Sequence, residues 1–315
     1  MLAHEGLAVQ IVDSGPLGAT IARTFPPHTR FFTSPERLSL FGLAIAPLHQ
    51  EKLTGEEYLA YLRQYVATHD LRVDTFTEIL SGARQPVKVV GRTLSGQRRV
   101  YSADTLVLAT GGTDRPRRLG VPGEDLPHVR SHLGDPHRYA GRRVVIVGGR
   151  NSAVESALRC YRVGAHVHLV HRRSHIHERV KFWLRPEVQS LLDEGVITGH
   201  LPGEVSEITP EAVVLSDGRR LEADDVVLQI GYEQDGALFD MFGVPRDGVR
   251  KAPVIDPDTM RAAEDLYVVG TATAGTQDRF EVFIENSHDH AGRVAAALAG
   301  RAAPSPRPAR PIPEV

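Results

Sequence analysis

The sequence holds a single cysteine, Cys160, among 315 residues. One thiol excludes a disulfide framework, a CxxC redox pair and a cysteine-built zinc site. An excess of either charge is also missing: 37 Lys and Arg stand against 39 Asp and Glu, a formal net charge of −2. That balance leaves no electrostatic footprint for nucleic acid or an acidic membrane surface. No apolar run is long enough to cross a bilayer, and the opening MLAHEGLAVQIVDSG has no apolar core of signal-peptide type. A cytoplasmic protein with no nucleic-acid or membrane partner is the expectation. What is present is 41% hydrophobic and 24% charged residues, enough to bury a sizeable core in one large or two medium domains.

Short apolar runs recur along the chain: AVQIV (8–12), TLVLA (105–109), RVVIV (143–147), HVHLV (166–170), DVVLQI (225–230) and LYVV (266–269). Most are continuous rather than alternating, which suits strands buried on both faces of a parallel sheet. Helical patterns lie between them. Thr54-Gly-Glu-Glu57 reads as a capping box, with apolar positions following at Leu59, Leu62, Tyr65 and Val66. A second helix is predicted from about Ser152 to Val163, stopped by Gly164. Strands alternating with helices mean an α/β fold.

Two hairpins interrupt the alternation. Val87–Val90 and Arg99–Ala103 flank Ser95-Gly96, and Ala212–Leu215 and Arg220–Ala223 flank Asp217-Gly218. Each leads into an apolar strand that ends in glycine, at Gly111 and Gly231. The repeat extends backwards, where Gly6-LAVQIV-Asp13 aligns with Gly164-AHVHLV-His171. Two copies of one nucleotide-binding plan explain this. Copy two has a strand, glycine turn and helix before Gly164; copy one has only MLAHE before Gly6. Roughly 17–25 residues that the plan requires are missing there, so a start codon placed too late or a truncated chain is expected. Five prolines between Ala302 and Val315 read as a disordered tail.

The strongest local signal is RVVIVGGRNSAVESALRCYRVGAHVHLVHRR, 143–173. A strand runs into Gly148-Gly149-Arg150-Asn151-Ser152-Ala153 and then a helix, the context that a dinucleotide fingerprint needs. Gly148 permits the tight turn, the small Ala153 lets helix and strand pack closely, and the helix N-terminus offers N–H groups to a pyrophosphate. Arg150 stands where the second glycine of GxGxxG normally lies, so the backbone approaches phosphate less closely there, and its side chain is a candidate phosphate contact. The second strand ends in His171-Arg172-Arg173, with Arg179 further on. An NAD site places Asp or Glu at that station; guanidinium groups instead suit a 2′-phosphate, which favours NADPH. A solvated basic turn is the alternative reading. In copy one, Asp13 ends the matching strand, suited to an unphosphorylated ribose such as that of FAD or, more plainly, to capping a turn.

Fifteen histidines raise the question of a metal site. His166 and His168 share a strand face, and Glu285 and His288 have the ExxH spacing, but only once; His288 and His290, two apart on a helix, point away from each other. No metal is expected. Cys160 falls mid-helix and reads as a buried packing thiol.

Taken together, these motifs resemble the thioredoxin-reductase-like flavoproteins, and most closely their bacillithiol-disulfide reductase branch. The resemblance rests on Phe32-Thr-Ser34, Val121-Pro-Gly-Glu-Asp-Leu126, Val147-Gly-Gly-Arg-Asn-Ser152, Trp183-Leu-Arg-Pro-Glu187 and Glu281-Val-Phe-Ile-Glu-Asn286, and spans the chain to about Gly300. It implies two Rossmann-like three-layer dinucleotide-binding domains with β-hairpin or meander insertions, the second inserted in the first. Residues 1–118 and 245–301 would bind FAD without the first strand and glycine loop, residues 119–244 would bind NADPH, and 302–315 would be the tail. Asp13 would hold the adenosine ribose of FAD and Phe32, Thr33 and Ser34 would line the flavin. Ala109, Thr110 and Gly111 would form the strand end passing the cofactor. Gly270 and Thr271, with a helix starting at Phe283 and Ile284, would sit over pyrophosphate and isoalloxazine. NADPH would pass hydride to FAD and on to a small disulfide such as bacillithiol disulfide, with no protein acid or base named as catalytic. A ferredoxin- or flavodoxin-type NADP reductase serving a small redox protein, or an NADPH-binding remnant without activity, are the other readings. Relatives form homodimers, and the absence of CxxC excludes the thioredoxin-reducing cycle.

Overall fold

The computed structural model describes residues 1–26, 29–49, 51–277 and 281–304. The chain divides into two compact units. One comprises Met1–Ala22, Thr33–Arg115 and the chain from Tyr232 onward; the other comprises Arg23–Phe32 and Pro116–Gly231. The strands that pair in parallel are, in chain order, β1 (Gln10–Val12), β2 (Arg72–Asp74), β3 (Leu106–Leu108), β4 (Val129–Arg130), β5 (Arg143–Val147), β6 (His166–Val170), β7 (Thr198–His200), β8 (Asp225–Leu228) and β9 (Leu266–Val268). Three helices carry the argument: α1 (Gly55–Thr68), α2 (Asn151–Arg162) and α3 (His288–Leu298).

The second unit is built on a five-stranded parallel sheet in the order β7-β6-β5-β8-β4. Its central strand, β5, explains the continuous apolar run. Val144 and Ile146 pack with Ala153, Val154, Ala157 and Leu158 of α2 on one face. Val145 and Val147 pack on the other with Val205, Val213, Leu215 and Leu221, which belong to the antiparallel meander Val205–Ile208, Ala212–Leu215, Arg220–Glu222. Helix, sheet and meander are the three expected layers. Burying each of these Val and Ile side chains contributes about 1.5–3 kcal/mol, so none of the positions from Val144 to Val147 can turn polar cheaply.

Two polar devices fix the strand ends. Asp224 accepts from the Arg143 backbone N–H at 2.8 Å and from Arg143 Nη2 at 2.6 Å, and Asp225 accepts from Arg142 Nε at 2.6 Å. The hydrogen bond from the Arg143 side chain is the main cause that pulls the Asp224 pKa down from 3.8 to about 2. The VPGEDL segment, among the more specific motifs of the sequence, is such a device too. Gly123 has φ +82°, and a Cβ there would lie 1.7 Å from the Ile208 carbonyl oxygen, so only glycine fits. The buried Glu124 accepts from the Leu119 and Gly120 N–H groups at 2.7 and 2.9 Å.

In the first unit, β1 pairs with β2 and β3 pairs with β9, both in parallel. A meander of Thr77–Ala83, Val87–Thr93 and Arg98–Ala103 corresponds to that of the second unit; in both meanders the hairpin signals revealed two strands and missed the leading one. The capping box at Thr54 and Glu57 is formed as read. The buried face of α1 differs from the reading, however. Tyr58 and Tyr61 lie deepest, because their hydroxyls donate to the Leu38 and Leu43 carbonyls and so tie down that segment; Leu59, Leu62, Tyr65 and Val66 are half-buried. The unit division at 231/232 also lies ahead of the 244/245 read from the sequence, because Phe239, Phe242 and Val244 are buried with Val89, Leu108, Leu266 and Val268 of the first unit. From residue 305 the expected tail lies outside the described residues.

The two sheets differ at one place. In the second unit β5 pairs with both β6 and β8; among the described residues of the first, β1 and β3 belong to separate sheets. Ile11 on β1 is 38% exposed, whereas its counterpart Leu169 on β6 is fully buried.

Replacing Asp224 by Asn is expected to cost about 1 kcal/mol near neutral pH, its partial exposure trimming the effect. A carboxylate with a depressed folded pKa adds stability above its unfolded value and loses it as pH falls through its folded value. The deficit is therefore expected to close as pH drops from about 4 through about 2, which urea titrations of both chains at stepped pH will read; a deficit independent of pH overturns this account.

Candidate functional site

In the second unit, β5 ends in a turn that tolerates glycine alone. Gly148 has φ +144°, and a Cβ there would lie 2.4 Å from the Gln229 carbonyl oxygen and 2.9 Å from Ala153 Cβ. Ala153 is fully buried against it, the close packing anticipated for this position. At Gly149 the constraint is a side chain: a Cβ would lie 2.5 Å from the His171 ring. Helix α2 then begins with no side-chain cap from Arg150. The Asn151 side-chain oxygen is engaged elsewhere, accepting from the Lys181 backbone N–H at 2.7 Å, and Ser152 is exposed. A helix start of this kind presents N–H groups and the positive end of the dipole to an anion.

The basic stretch after β6 returns to the same turn. The His177 N–H donates to the Gly149 carbonyl at 3.0 Å, and the Arg179 N–H to His177 Nδ1 at 3.1 Å. Arg172 and Arg173 are exposed and Arg179 is half-buried. Burial first, then the adjacent Arg172 and Arg173, push the His171 pKa down to about 4, so this ring is neutral at pH 7 and the positive charge is carried by guanidinium groups. Gly148 to Ala153, His171 to Arg173 and Arg179 are thus brought together. A turn only glycine can make, an uncapped helix start and three arginines beside them fit a phosphorylated dinucleotide.

The first unit holds the other expected residues. Asp13 follows β1, and its Oδ1 accepts from the Gly15 N–H at 2.8 Å, within the turn after the strand. Thr33 is buried and donates from Oγ1 to Glu285 Oε1 at 2.5 Å; Ser34 precedes the helical turn Pro35–Leu38. Phe32 belongs instead to the second unit, its ring 5.6 Å from that of Trp183. Ala109, Thr110 and Gly111 leave β3 and meet Gly270-Thr271: a Cβ on Gly112 would lie 3.3 Å from the Thr271 carbonyl. Gln234, which no sequence signal marked, joins these loops by donating from Nε2 to the Gly111 and Ala272 carbonyls, each at 2.8 Å. The Gly270 N–H donates to His290 Nδ1 at 3.0 Å. Phe283 and Ile284 do not begin an α-helix as expected. Ile284–Asn286 is a single 3₁₀ turn, held where Asn286 Oδ1 accepts from the Phe283 N–H, and α3 starts at His288. For FAD these residues supply a carboxylate at a strand end and a glycine-lined loop pair; a counterpart of the Gly148 turn is not among the described residues of this unit.

Two further groups bear on chemistry. Cys160 is fully buried on α2, and burial pushes its thiol up to about 12. His168 pairs through Nδ1 with His200 Nε2 at 3.0 Å, not with His166. Among the described residues no three His, Cys, Asp or Glu side chains group as metal ligands.

The sequence pattern of the pyridine nucleotide-disulphide oxidoreductases matches residues 1–270. The chain belongs to this family. It is therefore an oxidoreductase, and the family's reductases depend on FAD and NAD(P)H. It is similar to bacilliredoxin reductase of Bacillus subtilis, 30% identical over 307 residues that cover 95% of this chain and 93% of the relative. It is also 33% identical over 281 residues to a ferredoxin–NADP reductase of Ignicoccus hospitalis, covering 84% of this chain and 89% of that one. Among solved structures, the bacillithiol disulfide reductase of Bacillus cereus superposes with a TM-score of 0.89 at 30% identity, over 95% of this chain and 93% of that one. A thioredoxin reductase of T. acidophilum shares the fold at a TM-score of 0.69 and 18% identity.

Gly148→Ala is expected to add about 1–3 kcal/mol of backbone strain and to weaken dinucleotide binding, read by thermal melting and NADPH titration; a variant that matches the parent in both overturns the assignment of this turn. Cys160 is expected to resist thiol reagents until the chain unfolds, with Cys160→Ala costing about 1 kcal/mol and leaving NADPH binding unchanged; labelling in the native state at the rate seen in denaturant contradicts this.

Proposed function

We propose that the chain is an NADPH-dependent flavoprotein reductase of a low-molecular-weight disulfide, bacillithiol disulfide being the chemistry that the names of two similar solved structures carry. The single observation that supports the reading most is the basic stretch His171–Arg179 returned onto the Gly148–Asn151 turn. The net reaction consumes one NADPH, one proton and one disulfide and yields NADP⁺ and two thiols. FAD, when bound, supplies the two-electron relay between nicotinamide and disulfide.

The chain's own residues bind and orient. Gly148 lets the pyrophosphate approach, and Arg150, Asn151 and Ser152 surround the helix start that receives it. Arg172, Arg173 and Arg179 take the 2′-phosphate, while the neutral His171 packs on Gly149. For FAD, Asp13 would take the ribose, with Thr33 and Ser34 toward the flavin and Ala109, Thr110, Gly111, Gly270, Thr271, Phe283 and Ile284 around its phosphate and ring. On this reading the unit holding Asp13 is the FAD-binding one and the unit holding Gly148 the NADPH-binding one. Cys160 takes no part, since a fully buried thiol pushed up to about 12 is neither a nucleophile nor half of a dithiol. The disulfide must then be small enough, or its carrier protein suited, to meet the reduced cofactor without a protein dithiol. We also infer a cytoplasmic homodimer by analogy with the relatives; among the described residues no helix is long and apolar enough to cross a membrane.

A ferredoxin–NADP reductase activity is the second reading, favoured by the same lack of a dithiol and by the Ignicoccus relative. Purified chain is expected to show flavin absorbance that NADPH bleaches anaerobically, followed by turnover with bacillithiol disulfide. Turnover with reduced or oxidised ferredoxin alone moves the assignment to the second reading. Colourless protein that still binds NADPH leaves a nucleotide-binding chain without reductase activity and overturns both. Arg172→Ala and Arg173→Ala are each expected to raise the Kd for NADPH about 10–100-fold, the worth of one charge-assisted contact, with little change for NADH. Equal losses for both dinucleotides would refute the 2′-phosphate assignment.

A further inference from the structure

Two charged residues that the sequence reading did not single out lie in the interior of the second unit. Glu155 and Lys181 are each 8% exposed, and Lys181 Nζ lies 3.2 Å from Glu155 Oε2. Glu155 Oε1 accepts from Thr29 Oγ1 at 2.9 Å and from Arg159 Nη2 at 3.1 Å, while Lys181 Nζ also donates to the Arg30 carbonyl at 3.1 Å. A buried ion pair is a weak route to stability, since desolvation offsets most of its attraction; its best-attested use is to fix a register.

The register at stake is visible in the connections. Glu155 lies one helical turn beyond Asn151 on α2. Lys181 grips both, its backbone N–H on Asn151 Oδ1 and its Nζ on Glu155 Oε2. This fastens the downstream end of the basic stretch to two successive turns of the helix whose start receives the pyrophosphate. It also occupies the Asn151 oxygen, so that oxygen does not turn back to cap its own helix. The upstream end is anchored where the His171 N–H donates to the His200 carbonyl at 3.1 Å, and the middle where His177 N–H meets the Gly149 carbonyl. Arg172, Arg173 and Arg179 therefore lie on a segment held at both ends, and a held segment loses less entropy when it closes on a ligand.

We propose that Glu155 and Lys181 are a positioning pair for cofactor choice: they hold the arginine-bearing stretch in register with the glycine turn and so set the preference for a 2′-phosphorylated dinucleotide. The inference rests on the proposed NADPH reading. Neither side chain touches the dinucleotide in this scheme; both act through the arginines and the helix start.

The test is calorimetric titration of the full chain with NADPH and with NADH, alongside thermal melts, for the parent, Lys181→Met and the double variant Glu155→Leu with Lys181→Met. In Lys181→Met, Glu155 keeps Arg159 and Thr29 as partners, and in the double variant the buried pair is removed together while Arg159 keeps Thr29 Oγ1, so folded protein is expected from at least one. The expected result is an NADPH affinity about tenfold lower with NADH affinity changed less than threefold, so the preference ratio falls while the melting temperature stays near that of the parent. A preference ratio that stays at the parent's value, whether or not stability falls, overturns the inference and leaves the pair a structural one. A parent chain that fails to bind NADPH sinks the functional reading itself, which the variants do not address.

Discussion

The organising constraint of this molecule is a strand that is paired on both edges and covered on both faces. Strand β5 has parallel neighbours on either side, α2 packed on one face and the meander on the other. Both edges of the strand are then paired and the side chains from Val144 to Val147 are apolar and buried, so the chain can leave the sheet only at its end. It does so in one residue, Gly148, whose φ and lack of Cβ let α2 start beside the Gln229 carbonyl. The uncapped helix start, the returning basic stretch and the buried Glu155–Lys181 pair all take their positions from that exit. In the first unit, by contrast, β1 and β3 lie in separate sheets among the described residues, and Ile11 is left 38% exposed.

Electrostatics divides the work between residue types that the sequence places side by side. A histidine and two arginines in a row read alike as a basic run, yet they act differently once folded. His171 packs on Gly149 and loses its charge to burial and to its arginine neighbours, whereas Arg172 and Arg173 remain exposed and charged. Only a group that stays ionised when desolvated can pair with a phosphate over the working pH range, and guanidinium does so where imidazole does not. The histidine supplies shape, the arginines supply charge.

What the sequence made legible follows the same logic. Central strands β5 and β6 were found to the residue because most of their side chains obey one rule, burial. The hairpins were found because Ser95-Gly96 and Asp217-Gly218 declare their turns. The leading strands Thr77–Ala83 and Val205–Ile208 were missed because they carry no turn signal and alternate with polar residues. The Tyr58–Tyr61 face of α1 was missed because tyrosine buries its ring only where its hydroxyl finds a carbonyl, here those of Leu38 and Leu43, and that depends on a distant segment. Glu155, Lys181 and Gln234 were illegible for a related reason. A polar side chain is normally a surface residue in a pattern, and only tertiary partners reveal that it is buried or bridging.

The lone cysteine acquires a different meaning from these arrangements. Counted in the sequence, it removes the dithiol by which electrons could be handed to a protein disulfide. Placed in the structure, it is also removed as a single-thiol intermediate, because a mixed disulfide needs a thiolate that a substrate sulfur can reach. Cys160 meets neither condition: it is fully buried on the packed face of α2, and burial pushes its thiol up to about 12. Electrons that enter from a nicotinamide must therefore leave without resting on a sulfur among the described residues of this chain. Among the described residues it is the binding of cofactors, rather than a reactive thiol, that the fold secures.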